Sequence, residues 1–334
     1  MDSSSSLKDF SFNRKLYYKK WILKEPVEEK DSDAILMGKL VETILLEPEK
    51  FDDKFHFSVC ANIPTGLMKA FVDALYKHTI AATDEDGVIT DSFENISKKA
   101  YVDSGFKYSY ERVLKDFEGK DAEIYFNELK LVKSKGLTVV SPSAVAHAEN
   151  IVSTLKNAYT TSDVLNNCLE GECFNQYPIE GYTVGGHKFK SLVDRIVFNP
   201  VKKTIQVYDL KCVWNVEDFY ENYYLYRRAY IQGHLYYRAA KHLTLVDEKY
   251  FGWTVLPPKF IVCDSANYYT PLIYEMSEID IEEAWQGFSY KDKYYKGVKD
   301  LISELKWAVS TDEWGISKEN YENGGLVKLK KDEH

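Results

Sequence analysis

Two carboxylates and an amine recur within the stretch KSLVDRIVFNPVKKTIQVYDLKC, as Asp194 and the triplet Asp209-Leu210-Lys211. The flanks KFKSLVDRIVF and KTIQVYDLKCVW are rich in β-branched and aromatic residues, and Asn199-Pro200 between them signals a turn, so the stretch reads as a β-hairpin. Side chains alternate along a strand, which puts Asp209 and Lys211 on one face and Leu210 on the other. A carboxylate and an amine on one face, with a second carboxylate on the preceding strand, are the parts needed for metal-assisted hydrolysis. An Asp-x-Lys triplet also arises by chance, and on an exposed strand it is a solvated pair of little consequence. Ile205 and Val207 share the face of Asp209, however, and charges on a partly buried face require a partner or a metal.

Elements on either side must position these groups. Residues 219–241, FYENYYLYRRAYIQGHLYYRAAK, contain no Pro and read as a helix with Gly233 inside it; Gln232 and Tyr236 lie one turn apart on a face shared with Leu225, Ala229 and Ala239. That pair could hydrogen-bond a phosphate or a nucleotide beside the hairpin. The structural alternative is a Tyr-rich core helix whose Gln232 bonds to backbone. Upstream, residues 33–47 repeat apolar side chains at 36, 37, 40, 41, 44 and 45 until Pro48 stops the helix. Glu42 falls within this pattern, either as a boundary residue or as a ligand, and Gly38 one turn earlier permits close backbone approach.

The order Gly38-xxx-Glu42 on a helix, Asp194, Asp209-Leu-Lys211, then Gln232-xxx-Tyr236 resembles the PD-(D/E)XK nuclease superfamily, most of all its phage and RecE-type exonucleases, which are similar to lambda-type exonuclease and to the RecB nuclease domain. The run SSSSLKDFSFNRKLYYKKW followed by MGKLVETILLEPEKFDDKF resembles the opening of RecE-like domains. The likeness covers residues 3–57 and 170–245 and hardly touches 60–165. Glu42 stands where RecE-like and RecB-like domains usually carry His, which shifts the site towards all-oxygen coordination suited to Mg²⁺ or Mn²⁺. The resemblance implies an α/β fold with a central mixed sheet flanked by helices and with the metal site at one end of the hairpin. It implies that Glu42, Asp194, Asp209 and the Leu210 carbonyl hold Mg²⁺ or Mn²⁺, that Lys211 orients and helps deprotonate a water, and that Gln232 and Tyr236 position the substrate strand. Arg14, Lys15, Lys19 and Lys20 would grip that strand; Arg195, Arg227 and Arg228 are weaker phosphate contacts. For function it implies a Mg²⁺-dependent deoxyribonuclease resecting linear duplex ends for recombination, with a single-strand annealing protein as partner and a homo-oligomeric ring as the processive assembly. A DNA-end or recombination-protein binding module without turnover, and a site-specific endonuclease, stay open as other readings.

Composition bounds the rest. The chain of 334 residues is 45% hydrophobic, enough for a substantial core, and its net charge of −9 argues against a surface coated by nucleic acid. Locally the sign reverses: Lys and Arg outnumber Asp and Glu six to two in residues 184–213, four to one in 219–241 and six to two in 1–24. An acidic body with basic segments at the proposed site confines a polyanion to a groove. The five cysteines, at 60, 168, 173, 212 and 263, form no CxxC pair and fall short of a zinc site or an iron–sulfur cluster, so thiols in a reducing cytoplasm are expected. A Ser-rich and then basic start gives no signal peptide, no apolar run is long enough to span a membrane, and the final KDEH reads as accidental. The expected organisation is an N-terminal part of the core over 1–63, a helical insertion over 64–165, the catalytic core over 166–308 with two strands and then a helical stretch after the Gln/Tyr helix, and a polar tail over 309–334.

Overall fold

The computed structural model describes residues 1–25, 27, 32–60, 62–167, 170–266 and 269–327. Most of the acidic loop expected at 25–33, Cys168 and the end of the polar tail lie outside these residues. The chain divides into two compact units, residues 1–42 with 151–334, and residues 43–150.

In the larger unit the serine run has a structural use. Ser3 precedes helix α1 (Ser4–Phe12) and closes a capping box: Ser6 N donates to Ser3 Oγ at 3.2 Å and Ser3 N to Ser6 Oγ at 2.8 Å. Asp2 accepts from Ser6 Oγ and Tyr17 OH at 2.8 Å each, and its backbone exchanges hydrogen bonds with Lys188 and Lys190. The N-terminus is thereby stitched to the sheet, which fixes where α1 lies. Helix α2 (Asp33–Leu46) follows, ending before Pro48 as its periodicity predicts.

The sheet is mixed. Strands β1 (Glu172–Val184), β2 (His187–Asn199) and β3 (Thr204–Val213) run antiparallel; β3 then pairs in parallel with β4 (Thr254–Val255) and β5 (Lys259–Asp264), and β6 (Leu272–Glu275) closes the edge antiparallel to β5. Gly185 and Gly186, both at positive φ, make the two-residue β1–β2 turn, a conformation that suits glycine. In the β2–β3 turn Asn199 Oδ1 accepts from Lys202 N at 2.8 Å, the Asn-Pro signal acting as an Asx turn. Helix α3 (Ala229–Val246) packs on the face of the sheet that holds Asp209. Gly233 lets it approach, since a Cβ there would stand 2.5 Å from Met276 Sδ and 3.0 Å from Phe260 Cζ. A Cβ on Gly38 would stand 3.9 Å from that of Cys212, on the opposite face of β3, so α2 flanks the other side at ordinary contact distance and glycine is not required there. The expected α/β architecture, a central mixed sheet flanked by helices, is thus the one observed.

Three expectations need correction. The helix expected over 219–241 is broken: a π-helical stretch, Tyr220–Tyr226, ends at Arg227, and Arg228 takes a left-handed φ of 57° before α3 begins. Three strands, rather than two, lie between α3 and residue 277. The stretch expected to be helical over 277–308 is interrupted by a hairpin, Phe288–Tyr290 with Lys293–Tyr295, between helices α4 (Glu278–Gln286) and α5 (Val298–Thr311). Within the polar tail Trp314 is buried and stacks on Tyr18 at 4.9 Å.

The smaller unit packs the helices Gly66–Ala81, Phe93–Ser104, Tyr110–Phe117 and Asp121–Val132 around Phe71, Leu75, Phe117, Phe126 and Leu129. It also holds a short parallel pair, Phe55–Phe57 with Thr138–Val140, the second strand lying in a stretch expected to be mainly helical. Among the described residues no helix is long and apolar enough to cross a membrane.

His234 on α3 gives the first testable consequence. It is buried, stacked on Trp285 at 5.7 Å, and Nδ1 lies 3.1 Å from the Ile281 carbonyl while Nε2 has no hydrogen-bond partner among the described residues. Burial holds its pKa at about 4, below the ordinary 6.5. The native state therefore binds fewer protons than the unfolded chain between these values, so stability is present above pH 6.5 and lost as pH falls through 4. From pH 7 to pH 4 the wild type should lose about 3 kcal/mol more than His234→Phe. Parallel pH slopes of the two thermal unfolding midpoints would contradict this.

Candidate active site

The site forms where β2 parts from β3. The β2–β3 ladder runs from Asn199↔Thr204 to Arg195↔Tyr208 and stops; one further step would set Asp194 opposite Asp209. From there β3 follows β5, and the Leu210 N–H, no longer in that ladder, donates to Asp194 Oδ2 at 2.8 Å. On the other side the β1–β2 register passes from Asn175↔Arg195 to Tyr177↔Val193, leaving out Gln176, which has a left-handed φ of 46°. A non-glycine residue in that conformation costs on the order of 1 kcal/mol and persists only where its surroundings impose it. Asp194 thus sits just past the end of the β2–β3 ladder and across from the skipped Gln176, while β1 stays paired with β2 on either side of it.

Its carboxylate is held at both oxygens. Tyr236 OH donates to Leu192 O at 2.7 Å and reaches Asp194 Oδ1 at 3.2 Å, while Leu210 N holds Oδ2. Asp209 is 2% exposed, and neither of its oxygens has an aligned hydrogen bond; Oδ2 meets the Lys211 ammonium as an ion pair. Burial, then the charge of Asp209, pushes the Asp194 carboxyl well above the usual carboxylate range, against the pull of Lys211. Burial also disfavours the Lys211 charge, but Asp209 and Asp194 outweigh it and hold the amine above its ordinary value. Lys211 is therefore kept as an ammonium, a donor, which replaces the expectation that it helps deprotonate water.

Glu42 is half-buried; its Oε1 accepts from Gln176 Nε2 at 2.9 Å, and its charge acts on both Asp194 and Lys211. Gln232 and Tyr236 face the carboxylates, joined by a 3.0 Å bond from Gln232 Nε2 to Tyr236 OH. Gln232 Oε1 accepts from Lys8 Nζ at 3.0 Å. Lys8 is the residue missed in the sequence, although it lies in the basic N-terminal segment. The other basic candidates lie elsewhere. Arg195, next to Asp194 and so on the opposite face of β2, is buried and bonds to Asn167 and Asn175. Arg14 pairs with Glu304 at 2.7 Å and Lys20 with Asp9 at 3.1 Å, whereas Lys15 and Lys19 are exposed. The Arg228 guanidinium lies over the Phe12 ring at 4.2 Å. With Arg14, Lys293 and Tyr295 it lines a cavity of about 340 Å³ that the carboxylates do not enter.

Among the described residues, no three His, Cys, Asp or Glu side chains are gathered as a metal cage. What is gathered is two buried carboxylates, one with an unpartnered oxygen, and the Leu210 carbonyl, with Glu42 at the margin. Such a set could hold Mg²⁺, which keeps several waters and takes one or two carboxylates, better than Zn²⁺, which needs a closed set of nitrogen and sulfur donors. The four described cysteines are free thiols.

No family model and no curated protein matches the chain. Among solved structures it is similar to the crystal structure of a "putative exonuclease" from Eubacterium rectale, with 12% identity over 97% of this chain and 82% of that one, at a TM-score of 0.42. An overlap of that size carries no argument about activity.

Proposed function

We propose that this chain is a metal-dependent deoxyribonuclease of the PD-(D/E)XK type that hydrolyses DNA from free ends. The observation that carries the reading is the end of the β2–β3 ladder, past which Asp194 and Asp209 lie buried beside the Lys211 ammonium. Burial and then the charge of Asp209 raise the Asp194 pKa despite the Lys211 ammonium, and a bound cation would relieve that repulsion. The sequence order of Glu42, Asp194, Asp209, Lys211, Gln232 and Tyr236 supports the same reading.

Asp194, Asp209 and the Leu210 carbonyl would hold the cation, with Glu42 completing the set. Bound there, Mg²⁺ or Mn²⁺ supplies polarisation of a phosphodiester and a more acidic water. The protein's part is positional. Tyr236 and Leu210 N fix the plane of the Asp194 carboxylate, and Asp209 contributes an oxygen that nothing else satisfies. Lys211 presents its ammonium on the same face, where it stabilises negative charge growing on the phosphate oxygens. Exposed Lys15 and Lys19 are the candidates for holding the strand outside the site. Release of label from end-labelled linear duplex in Mg²⁺, abolished by chelation, tests the reading; tight DNA binding with no hydrolysis in either Mg²⁺ or Mn²⁺ would replace it with a non-catalytic binding module.

Glu42 has a separate test. Held by Gln176, it reaches the site from the edge, so Glu42→Ala should lower cleavage about 10- to 100-fold and raise the Mg²⁺ concentration for half-maximal rate. Near-normal turnover of that variant at saturating Mg²⁺ would remove Glu42 from the ligand set.

A further inference from the structure

We propose that Lys8 is a positioning residue of the site, one that fixes the sense of the hydrogen-bond chain running through Gln232 and Tyr236 to Asp194. The inference rests on the nuclease reading for its chemistry but on the geometry of α1 and α3 for its substance. An ammonium has only donors, so the Gln232 atom 3.0 Å from Lys8 Nζ must be the amide oxygen. The amide nitrogen then faces Tyr236 and donates to its hydroxyl oxygen at 3.0 Å. With that oxygen accepting, the phenolic proton is directed onward to Leu192 O and Asp194 Oδ1. Each link is thereby set by the one before it.

Without the ammonium the amide of Gln232 is free to turn over. Its oxygen would accept the Tyr236 proton, and Asp194 Oδ1 would lose its donor. Leu210 N alone would then hold that carboxylate, leaving it free to rotate about the remaining bond. Gln232 is 9% exposed and Tyr236 4%, so water cannot readily replace the missing donor. Lys8 itself is held in place by the stitched N-terminus: α1 is capped at Ser3, and Asp2 binds the backbone of β2. Burial, then the charge of Lys211, brings the Lys8 pKa to about 8, although the carboxylates pull the other way. Gln232 Oε1 is its hydrogen-bond acceptor among the described residues, while Asp209 and Asp194 act on its charge.

The test is a double-mutant cycle on the full chain with Lys8→Met, Lys8→Arg, Gln232→Leu and the Lys8→Met/Gln232→Leu double variant, each first checked for a cooperative thermal transition. Two readouts are taken: kcat and KM on linear duplex in Mg²⁺, and calorimetric Mn²⁺ binding without DNA. Lys8→Met should lower kcat about 10- to 100-fold with KM within about threefold, and weaken Mn²⁺ about tenfold. Lys8→Arg, also donor-only, should stay within about threefold of wild type, and the double variant should be no worse than Gln232→Leu alone. Additive effects in the cycle, wild-type behaviour of Lys8→Met, or a rise in KM with kcat unchanged would each overturn the assignment, the last by making Lys8 a strand contact. Wild-type protein that binds Mn²⁺ but cleaves no DNA would sink the nuclease reading and leave the metal-binding cycle to decide Lys8. Wild-type protein that binds no Mn²⁺ would overturn both.

Discussion

Asp209→Asn should lose at least about 10³-fold in Mg²⁺-dependent cleavage while keeping a cooperative thermal transition, and Lys211→Ala should lose a comparable factor while becoming markedly less stable without metal. Both changes remove one group from the same buried cluster, but the electrostatics differ. The amide introduced by Asp209→Asn keeps the shape of the carboxylate and ends its repulsion with Asp194, whose own carboxylate can then pair with Lys211. The fold loses one ion pair and one repulsion together. Removing Lys211 leaves two carboxylates, 2% and 8% exposed, without their near cation. Breaking a buried pair in this way costs on the order of 3 kcal/mol. Millimolar Mg²⁺ should restore part of that loss by supplying the charge that Lys211 gave. Thermal unfolding with and without Mg²⁺ separates the cases, and end-labelled DNA gives the rates. More than a tenth of wild-type turnover in Asp209→Asn, or a Lys211→Ala protein as stable as wild type in chelator, would contradict the proposed site.

The hairpin was legible because its signals are local. β-Branched residues mark both strands, Asn199 and Pro200 mark the turn, and period-2 alternation places Asp209 and Lys211 together. The end of the β2–β3 ladder before Asp209 and the left-handed turn at Gln176 were not, since a ladder ends according to what the partner strands do elsewhere in the sheet. The break at Arg227 and Arg228 had no Gly or Pro to announce it; a π-helical stretch and a left-handed arginine make the bend instead. Of the basic N-terminal residues, Arg14 and Lys20 are occupied by Glu304 and Asp9, the first a pairing 290 residues apart in sequence. Lys8 was overlooked for a related reason. The capping box of the serine run is local, but the attachment of Asp2 to β2, which fixes where α1 lies and so sets Lys8 against Gln232, is a tertiary contact.

Linear duplex should be degraded progressively by this protein while relaxed, covalently closed circular duplex survives. Depth is the physical argument. The two carboxylates lie in a gap inside the sheet, exposed by no more than 8%, and Tyr236, at 4%, closes over one of them. A phosphodiester within an unbroken duplex is held rigid by its stacked neighbours and cannot be drawn into such a recess without unpairing several bases. A frayed strand end enters one nucleotide at a time. Contacts outside the recess would come from exposed lysines such as Lys15 and Lys19, which bind phosphates without reading bases, so affinity should fall steeply with added salt and show little sequence preference. In a time course with equal masses of linear and closed circular DNA in Mg²⁺, acid-soluble nucleotide should accumulate from the linear form alone. Nicking the circle once with an unrelated enzyme should make it a substrate only if a nick serves as an end, which measures how much duplex must be opened. Discrete fragments from closed circles would show that the recess opens to internal phosphodiesters and would establish an endonuclease instead.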